Sequence, residues 1–138
     1  MKFLVTGSLN KKQGVARLLS ATSLYFIVFL AARLYHEYGY LSGNKIEPAA
    51  VIAEEAHADI FYFSLLFLFA GSVARELFAI RYRGGIIMVL FIAGVIFPLA
   101  KILYAYFPSL YMVYVVSGVA AFGLYLPVMA YILYRLRG

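Results

Sequence analysis

The chain has 138 residues, 65% of them hydrophobic and 18% aromatic, with a mean hydropathy of +0.91. Only 13% are charged, about half the usual share of a soluble domain, so a water-facing globule is excluded. The net charge of +6 would suit nucleic acid in a soluble protein. Here it is sorted by position along apolar segments, so it acts as an orientation signal and nucleic-acid binding is not expected. The absence of cysteine excludes disulfides, thiolate-ligated iron–sulfur clusters and covalent c-type haem.

Uncharged runs occupy positions 18–32, 60–74, 84–100 and 102–134, the last divided by Pro108. A helix needs roughly 20 apolar residues to cross a hydrocarbon core. The first two runs are shorter than that and reach full span if Arg17, Arg33 and Arg75 extend toward the interfaces. The pattern predicts an all-α, polytopic integral-membrane four-helix bundle. It forms a single domain over 1–138, with spans at about 13–41, 48–80, 84–106 and 110–134. The first twelve residues are too polar after Val5 to form the apolar region of a cleaved signal peptide, so the first span is expected to stay as an anchor. Gly39, Gly43 and Asn44 should end the first helix. Pro48 should open a second that runs unbroken to Ile80, about 50 Å long. Arg83-Gly84-Gly85 reads as a tight hairpin. Pro98 should kink the third span and Pro127 the fourth, and Phe107-Pro108-Ser109 makes a short turn between them.

With alternating spans, one side receives Lys2, Lys11, Lys12, Arg17, Arg75, Arg81, Arg83, Arg135 and Arg137, and the other only Arg33, Lys45 and Lys101. This asymmetry places both termini in the cytoplasm of a plasma-membrane protein. Anionic lipid headgroups are then the partner of the basic face. The acids sort oppositely: Glu37, Glu47, Glu54, Glu55 and Asp59 lie outside and Glu76 inside. Six tyrosines (35, 38, 40, 104, 106 and 111) are expected at the outer edge, with Tyr82, Tyr131 and Tyr134 at the inner. Small residues that let helix backbones approach occur in span two (Gly71 and its neighbours) and span four (Gly118, Ala121). They serve internal packing or docking against another protein.

Candidate chemistry collects at the outer edge. His36 closes span one and His57 opens span two, and two imidazoles across a gap can ligate a b-type haem. Glu54-Glu55-Ala56-His57 contains Glu-x-x-His, a spacing used by di-iron bundles. Spans three and four supply no matching acid or histidine, so a di-metal centre is not expected. A single ion held by Glu37, Glu54 and His57, with His36 nearby, is the remaining metal candidate, set against simple solvation of these charges. Arg33 and Glu37, four apart, should form an ion pair. No nucleophile–base pair, phosphate loop or HExxH is present.

Three short stretches resemble a family of small four-helix membrane proteins related to truncated haem–copper oxidase subunit I. They are Tyr35-His36-Glu37-Tyr38, His57-Ala58-Asp59, and Ser117-Gly118-Val119-Ala120-Ala121-Phe122-Gly123-Leu124. The resemblance implies a respiratory membrane. Asp59 and Leu124 stand where that family carries two further histidines.

The expectation is therefore a non-catalytic accessory subunit of a larger integral-membrane complex, respiratory or redox in kind, carrying no cofactor of its own. Its acidic rim (Glu37, Glu54, Glu55, Asp59) would face a partner, and Gly118, Ala121, Gly71 and Asp59 would be its contact residues. The alternative is a small b-haem or quinone-linked electron-transfer protein using His36 and His57. A third is a homo-oligomeric transporter or channel.

Overall fold

The computed structural model describes residues 9–137, with side chains from Gln13 onward. Residues 1–8 of the segment weighed as a signal peptide, Lys2 among them, and the side chains of residues 9–12, including Lys11 and Lys12, lie outside the described residues. The described chain is all-helical: α1 (Leu9–Leu41), α2 (Ala49–Leu77), α3 (Ile80–Tyr106), a 3-10 turn (Pro108–Leu110) and α4 (Tyr111–Arg137). All four helices are long and apolar enough to cross a membrane.

Local chemistry explains most of the boundaries. Gly43 adopts φ +73°, which a Cβ would disfavour. Its turn lets the Asn44 and Lys45 amides donate to the Gly39 carbonyl at 3.0 and 2.8 Å, satisfying an orphan at the end of α1. Gly39 itself stays within the helix. Pro48 caps α2, and Phe107 with Pro108 makes the short turn before α4.

One boundary corrects the expectation. The second turn falls at Phe78-Ala79, and Gly84 and Gly85 lie inside α3 rather than in a hairpin. Both turn residues are extended, a conformation open to any residue, so glycine is not required. The Phe78 amide closes α2 on the Ala74 carbonyl at 2.9 Å, and its ring packs on Tyr131 of α4 at 4.8 Å. That aromatic contact draws the turn toward the bundle before the glycines are reached.

The helices run up and down, with α1 against α4, α4 against α3 and α3 against α2. α1 and α2 make few direct backbone approaches, and long side chains bridge them. The Tyr62 hydroxyl donates to the Phe26 carbonyl at 3.4 Å, and the Phe29 and Tyr62 rings lie 4.5 Å apart. Each helix buries one stripe at helical spacing. The stripes include Phe26, Leu30, Glu37 and Tyr40; Asp59, Phe63, Leu66, Ala70 and Val73; Leu90, Gly94, Phe97 and Lys101; and Tyr114, Gly118, Ala121, Tyr125, Met129 and Ile132. All four become polar at the same end of the bundle, the end of the α1–α2 loop.

Candidate functional site: a buried charged layer

The polar ends of these stripes converge on Lys101. On α1, Arg33, His36, Glu37 and Tyr40 occupy positions i, i+3, i+4 and i+7, a single face. Glu55 and Asp59 are likewise one turn apart on α2. α3 supplies Lys101 and α4 supplies Tyr114. Lys101 and Glu37 are 0% exposed and Asp59 2%.

The Lys101 ammonium donates to Glu37, to Asp59 Oδ2 at 3.0 Å and to Glu55 Oε2 at 3.1 Å. Arg33 joins the first two acids, donating to Glu37 Oε1 at 2.9 Å and Asp59 Oδ1 at 2.6 Å. The Tyr114 hydroxyl donates to Glu37. His36 Nε2 lies 3.1 Å from Glu55 Oε1, and this pair forms the open rim, with side chains 40% and 22% exposed. A buried charge is costly unless it is paired and hydrogen-bonded, and here each has at least two partners. Three carboxylates face two permanent cations, and His36 adds a third positive charge only when protonated.

Aromatic rings bound the layer. Tyr40 lies beneath the ammonium groups of Lys45 at 4.5 Å and Lys101 at 5.4 Å, which ties the α1–α2 loop to the cluster. In that loop Lys45 pairs with Glu47 at 2.9 Å, and this hydrogen bond raises the lysine pKa above its ordinary value. Tyr114 stacks between Tyr104 and Phe97, at 5.1 and 5.9 Å. One turn further into the bundle Phe63, Phe97 and Phe122 meet edge to face at 5.5–5.9 Å, with Tyr125 on Phe63 at 5.5 Å. This plug closes the cluster from the rest of the interior.

The sequence-derived candidates separate in space. The Arg33–Glu37 pair forms as expected. His36 and Glu37 enter the cluster, while Glu54 and His57 lie exposed on α2. At 100° per residue His57 is about 200° from Glu55 and points away from the layer. Its Nδ1 contacts the Ala53 carbonyl at 2.7 Å, while His36 is engaged with Glu55. Glu37 therefore meets His36 and Glu55 rather than Glu54 and His57. Donor atoms of His36, Glu37 and Glu55 fall within 4.8 Å of one another, a spacing that can hold a cation. The Lys101 ammonium already binds both of those acids.

Glu37 and Asp59 do not stand in an outward rim: both are buried against Arg33 and Lys101. Tyr40, expected at the interface, is also buried. Among the small residues, Gly118 closely faces Leu41 and Phe97, where an added Cβ would lie 3.1 Å from each. Ala121 and Gly71 are buried too.

The residue that sequence reasoning missed is Lys101. Its signal was present: it is the lone charge between Arg83 and Arg135, and its position continues the core stripe of α3. An isolated lysine in so long an apolar stretch requires a counter-charge from another helix. Comparisons with known protein families, with characterised proteins and with solved structures give no match for this chain.

Proposed function

We propose that the chain is a multi-pass plasma-membrane protein with both termini cytoplasmic, acting as a non-catalytic subunit of a larger integral-membrane complex. The observation that carries this reading is the self-sufficiency of the charged layer. Its acids and bases are engaged with one another across the four helices, and among the described residues no buried side-chain nitrogen or oxygen lacks a partner. Groups held in this way fix helix register; a catalytic base or nucleophile must instead reach a substrate.

A second observation concerns the exterior. Val116, Val119, Ala120 and Gly123 share one exposed face of α4, and nothing lies within 4 Å of a Cβ built on Gly123. A neighbouring transmembrane helix can approach closely there. The orientation rests on the distribution of basic residues, and the respiratory or redox assignment on the motif resemblance alone.

Isolation from native membranes in mild detergent tests the proposal. A larger integral-membrane partner should co-purify and be lost with Gly123→Leu. A solitary chain would contradict it.

The charge balance favours one other reading, a proton- or cation-linked transporter, because the layer has one more carboxylate than permanent cations and its histidine lies at the rim. Ion flux in proteoliposomes, abolished by His36→Ala, would favour that reading over the first. The electron-transfer alternative draws no support from the geometry, since His57 points away from His36. A visible spectrum without a Soret band would remove it.

A further inference from the structure

At the end of the bundle opposite the charged layer, α1 and α4 leave a groove of about 530 Å³. Gln13, Arg17 and Ser20 line its upper part from α1, and Arg137 closes it from α4. Ala16 and Ala21 keep it wide, and Leu24 and Leu136 make its apolar part. The geometry points to this groove as the binding site of a single anionic phospholipid, its phosphodiester held between Arg17 and Arg137 and one acyl chain lying along Ala21 and Leu24. The inference rests on the reading that the chain lies in a membrane with its basic end at a headgroup layer.

Three features select this ligand. First, among the described residues the lining holds two guanidinium groups and no carboxylate, and neither arginine belongs to an ion pair. Guanidinium is the side chain best suited to grip two phosphate oxygens at once. Second, polarity changes along the groove in the order a lipid requires. The α1 lining residues recur every three or four positions and so share a face. From Arg17 to Leu24 the helix advances about 10 Å, from phosphate depth into the acyl region. A free phosphate would use only the upper half. Third, the small side chains of Ala16 and Ala21 make a trough between two helices, where a flat helix face would offer no lateral hold. A zwitterionic lipid brings its own ammonium beside the two arginines, so an anionic headgroup is favoured.

Titration of the purified full-length chain in detergent with phosphatidylglycerol, phosphatidylcholine or inorganic phosphate, read by native mass spectrometry, tests the site. One phosphatidylglycerol should bind more tightly than either alternative. Arg17→Gln should weaken it about fivefold and Arg17→Gln/Arg137→Gln about thirtyfold. Arg17→Lys, which keeps the charge and loses the fork, should fall between wild type and Arg17→Gln. Unchanged helicity would show that the variants fold. Equal affinity for the two lipids, an unaltered double variant, or inorganic phosphate binding as tightly as the lipid would each overturn the proposal. The isolated chain suffices for this measurement, so failure leaves the subunit reading standing. A reporter fused after Gly138 checks orientation separately: export with lipid binding intact would move the site to the other leaflet and overturn only the topology.

Discussion

In the charged layer Lys101 meets three carboxylates from two helices, while one turn away Phe63, Phe97 and Phe122 meet edge to face. Both layers are buried, but the charged one ties α1 to α2 and α3, whereas the aromatic one joins α2, α3 and α4. They differ in what happens when a member is removed. An aromatic side chain contributes through area and shape, so its loss leaves a cavity that a change in a neighbour does not fill. A charge contributes only in the presence of its counter-charges, so its loss leaves them stranded and removing one of those restores the balance. The aromatic layer holds the helices close, and the charged layer dictates which helix faces may meet.

The largest effect should come from Lys101→Met, which leaves Glu37, Glu55 and Asp59 with Arg33 as the one remaining permanent cation. Equilibrium unfolding in mixed micelles should show a loss of about 3–5 kcal/mol. Phe63→Ala, at the centre of the aromatic layer, should cost about 3 kcal/mol by the same measurement, and substitutions among its neighbours should not recover it. Gly43→Ala strains the turn that ends α1 beside the charged layer and should cost about 1–2 kcal/mol, seen as a lowered unfolding midpoint. His36→Ala should cost less than about 1 kcal/mol, because its contact with Glu55 is at the solvated rim. A large loss there would make the rim part of the clamp rather than its edge.

The four helices were legible because apolar length and charge spacing are one-dimensional properties. So was the turn at Gly43, where a positive φ calls for glycine. The turn at Phe78-Ala79 was not, because its extended residues carry no compositional mark and its position answers to Tyr131, more than fifty residues along the chain. The Arg33–Glu37 pair was legible as a local i, i+4 relation. The Lys101 cluster joins residues up to 77 apart, and no local pattern names its partners. On α2, Glu-x-x-His directed attention to Glu54 and His57. The phase of the buried stripe through Asp59, Phe63 and Leu66 selects Glu55 instead. Reading charges as members of a core stripe, ahead of motif spacing, would have found both Lys101 and Glu55.

The central claim is that Lys101 is the shared counter-ion of a buried layer joining the helices. Comparing unfolding of Lys101→Met with that of Lys101→Met/Glu37→Gln tests it most directly, since the second variant restores the original charge balance. The account predicts that the double variant recovers at least half of the stability lost in the single one. A single variant as stable as wild type, or a double variant whose losses simply add, would contradict it.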